Sequence, residues 1–356
     1  MKKLLILSTA LTGVAFSAQA QNLTVMSWGG AYEMSQVEAY NKPFAAMKGI
    51  TVTMTAADNP ATPIKAQVEA NNVTIDVADI ELSDAVRLCD EGALEVINFA
   101  DLPPAPDGTP ATEDFVEGSL TSECAVPSIV WSTIVAYDSS RTTGVTALAD
   151  FFDLQKFPGK RGLRKGAKAN LEMALMADGV PAGEVYGLLA TDEGVARAFA
   201  KLDTIKSEVV WWEAGAQPPQ LLADGEVVMT TGYNGRIFNA AVGENKPFEI
   251  LWDGQIMDFD LFVIPKGAPN KEMALEYIKF ATDTQRLADQ AKFISYGPAR
   301  KSSAPFVGLF MDGKTEMGPQ MPTAPDNLVN ALVNDFEFWA DRDVELNEKF
   351  NAWLLQ

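Results

Sequence analysis

The feature that most constrains the fold is a regular alternation of short apolar strands and amphipathic helices near the N-terminus. A strand, "LTVMSW" (23–28), is followed by a glycine turn, a helical segment (29–49) and a second strand, "ITVTMTA" (50–56). Two strands joined through one helix form a β-α-β unit, which implies a parallel sheet. The pattern continues through the helix "PATPIKAQVEANN" and the strand "IDVADIE" (75–81). It predicts an α/β lobe whose loops gather at the carboxyl ends of the strands.

The remainder of the chain predicts a second lobe of the same kind. Ser83 can cap a helix, "SDAVRLCDEGAL", and a β-rich run follows at 124–138. A second alternating region covers about 150–250, and we expect a helical end at 324–355. The length of 356 residues exceeds one comfortable core, and no low-complexity linker separates the regions. We therefore expect the chain to cross between two lobes more than once. The expected division is 21–132 plus about 261–311 for the first lobe, and about 133–260 plus 312–356 for the second.

The N-terminal segment predicts export. Lys2 and Lys3 precede a short apolar stretch that ends in Ala18-Gln19-Ala20. This order is typical of a secretory signal peptide (residues 1–20) with cleavage after Ala20, and a membrane anchor is the alternative. Removal of the two lysines moves the formal net charge from −20 to −22. We expect a periplasmic protein with no affinity for nucleic acid, and we expect it to be monomeric.

The composition and the motifs give little support to an enzyme. The sequence has no histidine, which excludes Ser-His-Asp and Cys-His catalysis and imidazole-based zinc sites. The glycine-rich "GKRGLRKG" (159–166) lacks the spacing of a phosphate-binding loop. The acidic "DRDVELNE" (341–348) lacks the glycine of an EF-hand loop and is typical of a solvated helix face. We expect no cofactor and no metal, and a secreted hydrolase that uses carboxylates is the enzyme alternative.

The two cysteines, Cys89 and Cys124, are too far apart for a CxxC redox pattern. In an oxidising compartment, two cysteines most simply form one disulfide. The alternative is a pair of separate buried thiols.

Three segments resemble a known family. They are "SWGGAY" after the first strand, "YNGR" (233–236), and "DFDLFVIPKGAPNKEMALEYIKF" (258–280). Together with the signal peptide, they resemble the periplasmic solute-binding proteins of polyamine-type (spermidine- or putrescine-like) ABC importers, over nearly the whole mature chain. The resemblance implies a type II periplasmic-binding-protein fold, in which two α/β lobes joined by crossing strands close on a ligand by hinge motion. It also implies a membrane ABC permease as partner.

The resemblance also implies which residues bind the ligand. Trp28 stands where the family has an aromatic residue after the first strand. Tyr233 replaces a tryptophan that stacks on the ligand's carbon chain, and Asp260 matches an acid that grips an amine. The other implied residues are Glu81, Ser83, Trp212, Glu213, Asp258 and Tyr296. For Trp131, a core role and a role in the site stay equally open, because it lies where a crossing strand would begin.

The basic residues depart from the family pattern. Where polyamine binders carry two acids, this chain has Arg164, Lys165 and Lys168, and Arg236 follows the stacking position. A guanidinium can hold a carboxylate through two hydrogen bonds, so Arg236 favours a ligand with an acid at one end and an amine at the other.

We therefore expect an ω-amino acid such as a γ-aminobutyrate-like molecule. Several alternatives stay open. A polyamine is the ligand if Arg236 forms a structural ion pair with Asp258 or Glu213. A protein that presents its ligand to a chemoreceptor would share the fold and differ only in its partner.

Overall fold

The computed structural model describes residues 22–356, so the predicted signal peptide lies outside the described residues. In this described part, ten strands form one continuous sheet: β1 Asn22–Ser27, β2 Thr51–Ala56, β3 Val77–Glu81, β4 Ala125–Asp138, β5 Arg161–Arg164, β6 Val209–Trp212, β7 Met229–Tyr233, β8 Phe248–Val263, β9 Gly297–Pro298 and β10 Leu332–Val333. The main strand order is β2-β1-β3-β8-β4-β7-β5-β6.

Helices cover the sheet. They are α1 Gly30–Gln36, α2 Lys42–Lys48, α3 Ala61–Glu69, α4 Leu82–Asp90, α5 Ala111–Asp114, α6 Leu148–Phe152, α7 Asn170–Ala177, α8 Val185–Leu189, α9 Asp192–Asp203, α10 Gln217–Asp224, α11 Asn234–Phe238, α12 Lys271–Ala281, α13 Thr284–Gln290 and α14 Phe336–Leu354. A π-helical turn at Val37–Asn41 joins α1 to α2, within the segment predicted as one helix. Among residues 22–356, no helix is long and apolar enough to cross a membrane.

Along the main strand order, parallel pairing occurs at both ends of the sheet and antiparallel pairing in its centre, and β10 adds a short parallel pair to β8. β1 pairs in parallel with β2 and β3, and β5 pairs in parallel with β6 and β7. The two long strands β4 and β8 run antiparallel to each other and connect these ends, because β8 also pairs with β3 and β4 also pairs with β7. The α/β class and the crossing strands follow the sequence prediction. The exact lobe boundaries stay a prediction.

Separate hydrophobic clusters pack toward the two ends of the crossing strands. One cluster contains Leu23 and Phe44 with Phe262 and Tyr277. Another contains Phe151, Leu163 and Leu171 together with Trp339 and Phe350 of α14. Each end therefore buries its own apolar surface, and residues between the clusters are free to form a site.

Three local predictions were wrong. Ser83 does not cap α4, because the helix begins at Leu82 and the Ser83 hydroxyl instead meets a lysine described below. The segment 324–335 is not α-helical; it contains a short 3₁₀ turn and β10, and Asp335 caps α14 by accepting a hydrogen bond from Phe338 N at 3.0 Å. Trp131 lies in the middle of β4, and not at the start of a crossing strand.

Candidate functional site

A cavity, which encloses about 260 Å³ of space including a part open to solvent, lies where β3 and β7 end beside the middle of the two crossing strands. The register of the sheet brings this about, because Glu81 pairs with Asp260 and Tyr233 pairs with Thr133. The lining residues are Trp28, Tyr32, Glu81, Trp131, Tyr233, Arg236, Asp260 and Tyr296. A small cavity with several polar groups among aromatic walls is typical of a site for a small polar ligand.

The other predicted residues lie around this cavity. Trp212 and Asp258 line an adjoining cavity of about 410 Å³, which shares Glu81, Trp131 and Tyr233 with the first. Ser83 lines a third, more polar cavity of about 590 Å³. Glu213 lines none of the three. Its side chain is 64% exposed and pairs with Lys165 at 3.3 Å, so it is an ordinary surface ion pair.

Arg236 is the strongest candidate for an anion-binding group. It extends from α11, is 4% exposed, and donates hydrogen bonds to the backbone carbonyls of Gly29 (2.9 Å) and Trp28 (3.1 Å). Its Nε is buried and has no hydrogen-bond partner in the described part of the chain. No carboxylate among residues 22–356 forms a salt bridge with it, and the proposed partners pair elsewhere: Asp258 lies by Lys168 and Glu213 by Lys165. A buried guanidinium without a counter-ion is costly unless a ligand supplies one.

Two glycines give the Arg236 side chain its space. A Cβ on Gly30 would lie 2.7 Å from Arg236 Nη1, and a Cβ on Gly215 would lie 2.8 Å from Arg236 Nε. Gly30 also has a φ of +60°, which other residues adopt less readily. The glycine turn after β1 therefore serves the close approach of the guanidinium.

Asp260 is the acid that faces the same cavity. Its side chain is 4% exposed, and its Oδ1 accepts a hydrogen bond from Trp131 Nε1 at 2.9 Å. Burial raises the pKa of Asp260 well above its usual range, and the nearby acids Asp79, Glu81 and Asp258 raise it further. A ligand ammonium would reverse this shift, because a neighbouring positive charge favours the carboxylate.

The sequence did not predict a buried polar cluster near Asp260, formed by Asp79, Tyr32 and Gln36. Asp79 Oδ2 accepts hydrogen bonds from Tyr32 Oη, at 2.7 Å, and from the Gln36 amide. Burial raises the pKa of Asp79 to about 7. The only local signal for this cluster is a carboxylate inside the apolar strand "IDVADIE", which requires partners that the sequence does not identify.

Lys168 links three of the polar residues around the site. Its Nζ lies 2.8 Å from Glu81 Oε2, 3.0 Å from Ser83 Oγ and 3.1 Å from Asp258 Oδ2. Burial opposes the charge of Glu81, but Lys168 and Arg164 (3.6 Å away) outweigh it and hold the pKa of Glu81 below its usual value. Burial raises the pKa of Asp258 to about 6, although Lys168 acts in the opposite direction.

Aromatic side chains form the walls between the charged groups. The Tyr233 ring lies edge-on to Trp131 and Trp212, with centroid separations of 5.0 and 5.6 Å. Tyr296 packs in the same way against Tyr32, at 5.2 Å. Such rings exclude water and can attract an ammonium group through their π faces. The arrangement can bind a small molecule, and the cavity has an acid and an unpaired guanidinium on its walls.

Several known proteins are similar to this chain. The chain is 45% identical over 349 residues to the γ-aminobutyric acid-binding protein of Pseudomonas aeruginosa PAO1, with 97% of this chain and 95% of the relative covered. A solved structure described as the Atu4243-GABA receptor superposes with a TM-score of 0.78 at 32% identity, covering 94% of this chain and 98% of that one. A 93-residue segment, 24% of this chain and 25% of the relative, is 27% identical to the putrescine-binding periplasmic protein PotF of Escherichia coli K12.

These relatives confirm the resemblance to solute-binding proteins of the polyamine type and the two-lobed α/β fold that it implies. The model of the family "Bacterial extracellular solute-binding protein" matches residues 39–323. The chain therefore belongs to the bacterial extracellular solute-binding proteins.

Proposed function

We propose that this protein is the periplasmic substrate-binding component of an ABC importer for an ω-amino acid such as γ-aminobutyrate. The proposal depends mainly on one observation: a guanidinium and a carboxyl group line the same small cavity. Arg236 is buried without a carboxylate partner among the described residues, and Asp260 lines the same cavity with its acid group buried. A short molecule with one carboxylate and one ammonium satisfies both.

The relatives support the same ligand class. The Pseudomonas protein is described as a γ-aminobutyric acid-binding protein, and the Atu4243 structure as a GABA receptor. The polyamine alternative has weaker support. It requires the Arg236 guanidinium to be neutralised inside the protein, and neither Asp258 nor Glu213 pairs with it.

The proposed binding mode assigns a role to each group. The ligand carboxylate receives hydrogen bonds from Arg236, its ammonium pairs with Asp260, and its methylene chain lies against Tyr233, Trp131 and Trp28. Trp212, Asp258, Glu81, Ser83 and Tyr296 support the walls or the charge balance, whereas Glu213 is left out of the site because it is exposed.

We further propose that the protein is exported, works as a monomer, does not bind nucleic acid and catalyses no reaction. Ligand binding would favour the closed arrangement of the two lobes, and a membrane permease would recognise that form. Presentation to a chemoreceptor is the remaining alternative. Deletion of the gene decides between them, because loss of uptake of labelled γ-aminobutyrate supports the importer, whereas loss of chemotaxis with intact uptake supports the receptor.

Calorimetry with three ligands on the same four-carbon chain tests the ligand class. They are γ-aminobutyrate, its neutral amide 4-aminobutanamide, and putrescine. The wild-type protein should prefer the acid over the amide by about 2–3 kcal/mol, because the amide leaves a buried guanidinium unpaired. Arg236→Gln should lose most of this preference, and Arg197→Gln, at an exposed arginine of α9, should retain it. Tighter binding of putrescine than of γ-aminobutyrate by the wild-type protein would overturn the proposal.

A further inference from the structure

Lys168 is a partly buried cation that contacts two acids of the site. It lies in the loop between β5 and α7, and its side chain is 16% exposed. Its ammonium lies near oxygen atoms of three residues on other elements: Glu81 at the end of β3, Ser83 in α4 and Asp258 in β8. The contacts with Glu81 and Ser83 are hydrogen bonds, whereas Asp258 Oδ2 lies at ion-pair distance and has no hydrogen-bond partner among the described residues.

The position of this ammonium relates it to the ligand. Lys168 and Asp258 line the 410 Å³ cavity, and Arg236 and Asp260 line the 260 Å³ cavity. The two cavities adjoin through Glu81, Trp131 and Tyr233, which line both. A longer cationic ligand with one ammonium at Asp260 could extend past these residues toward Glu81 and Asp258.

We infer that Lys168 is a specificity-determining residue that restricts the site to ligands with one ammonium group. The Lys168 ammonium forms ion pairs with Glu81 and Asp258. It therefore occupies the place that the second ammonium of a diamine would take beside these two acids. This inference rests on the proposed function and names the class of ligands that the site rejects.

The charge balance around Lys168 explains the exclusion. With Lys168 in place, a second ammonium finds both acids paired and meets a positive charge at close range. Without it, Asp258 is buried beside Glu81 with no other salt-bridge partner among the described residues. An unpaired buried carboxylate is costly and must take up a proton or a cation. A diamine would provide that cation.

The test uses Lys168→Met, because methionine has an unbranched side chain of similar length without the charge. Dissociation constants are measured by calorimetry for γ-aminobutyrate and for the diamines with four, five and six carbons. We expect the affinity for at least one diamine, relative to γ-aminobutyrate, to rise at least tenfold, which corresponds to about 1.4 kcal/mol. No rise for any of the three diamines would overturn the inference.

Two further variants identify the cause of a rise. Lys165→Met removes a lysine from the same loop whose partner is the exposed Glu213, and it should leave the diamine ratio within twofold of wild type. Lys168→Met combined with Asp258→Asn removes the acid that the diamine would use. Loss of the gain in this double variant supports the inference. A gain that persists means that reduced repulsion alone was responsible, and it overturns the inference.

The outcome is separable from that of the proposed function. Weak binding of γ-aminobutyrate by wild type would refute the proposed ligand, whereas the change in diamine affinity between wild type and Lys168→Met can still be measured. If Lys168→Met does not fold, Lys168→Gln replaces it, since its amide can still donate to Glu81 and Ser83. The same tenfold gain is then required, and its absence overturns the inference.

Discussion

Arg236 Nη1 donates a hydrogen bond to the carbonyl oxygen of Gly29, 2.9 Å away, across 207 residues of sequence. The turn after the first strand therefore holds the guanidinium that we assign to the ligand carboxylate. Within residues 22–356, its hydrogen-bond partners are backbone carbonyls, so these contacts position the charge without neutralising it. This explains how the cation can be oriented and still be available to a ligand.

Gly30→Ala should weaken binding of the acid ligand through this contact. The added methyl group would lie 2.7 Å from Arg236 Nη1 and displace the guanidinium. We expect γ-aminobutyrate to bind at least tenfold more weakly, a loss of about 1.4 kcal/mol or more, with a smaller effect on 4-aminobutanamide. Calorimetry with both ligands measures the difference.

Gly49→Ala is the matched control for this change. Gly49 has a similar φ of +67°, and a Cβ there would have no neighbour within 4 Å. Both variants carry the backbone strain of a left-handed alanine, which is on the order of 1 kcal/mol of stability. Equal losses of acid affinity in the two variants would mean that strain, and not the Arg236 contact, is responsible.

The sequence was sufficient for those features that depend on local pattern. The β-α-β repeats predicted the parallel pairing of β1, β2 and β3. The family resemblance implied Trp28, Glu81 and Tyr233, which line the cavity. The full length of β8 was not predictable, because Asp253, Gly254 and Gln255 interrupt its apolar pattern and Gly254 has a φ of +73°. Pairing with β4 extends the strand through this irregular segment.

The hydrogen-bond and ion-pair partners of the buried polar residues could not be predicted from the sequence either. Lys168 meets Glu81 across 87 residues and Tyr32 meets Asp79 across 47, and each contact exists only once the sheet has formed. Local patterns can show that a buried acid needs a partner, but they cannot select the partner. The sequence predicted that one end of the site is cationic. Arg236 lines the cavity without a carboxylate partner among the described residues, whereas the charge of Lys168 is paired with two acids of the site.

From the raised pKa of Asp79, we predict that its contribution to the free energy of unfolding falls as the pH rises. Its pKa is raised to about 7 in the folded protein, whereas an aspartate in an unfolded chain titrates near 3.9. Between about pH 4 and pH 7, the folded state therefore binds a proton that the unfolded state has lost, and this contribution to stability declines by up to about 1.4 kcal/mol per pH unit.

Asp79→Asn should remove this contribution, because an asparagine stands for the protonated acid and can still accept from Tyr32 and Gln36. Urea unfolding without ligand at pH 4.5, 6 and 7.5 measures the difference between the variant and wild type. We expect the variant to gain stability relative to wild type as the pH rises. A difference that is constant over this range would show that Asp79 is ionised in the folded protein throughout.

The predicted disulfide is present in the structure, where it joins Cys89, near the end of α4, to Cys124, just before β4. The sequence separation is 35 residues. In the chain-entropy model, a loop of this length contributes about 3–4 kcal/mol to the free energy of unfolding. Replacement of both cysteines by serine should therefore lower the urea midpoint. Intact mass before and after reduction and alkylation checks the bond itself, and two free thiols in freshly exported protein would contradict it.

We expect the negative charge of Asp260 to be required for binding of the ligand ammonium. Asp260→Asn can keep the hydrogen bond from Trp131 Nε1, because the asparagine carbonyl oxygen can take the place of Oδ1, but it removes the negative charge. We expect binding of γ-aminobutyrate to weaken by about 2–4 kcal/mol, the range for loss of one member of a buried charge pair. The variant should also be at least as stable as wild type at neutral pH, since burial and three nearby acids disfavour the charged form in the absence of ligand.

This combination of results separates a binding role from a structural one. A residue that only holds the fold would lose stability together with affinity, whereas Asp260→Asn should lose affinity and keep its melting temperature. Asp192→Asn, an exposed aspartate of α9, serves as the control and should change neither quantity. Calorimetry and thermal unfolding on the same samples provide both measurements. Unchanged affinity in a folded Asp260→Asn protein would remove Asp260 from the site and leave the ligand amine to another acid.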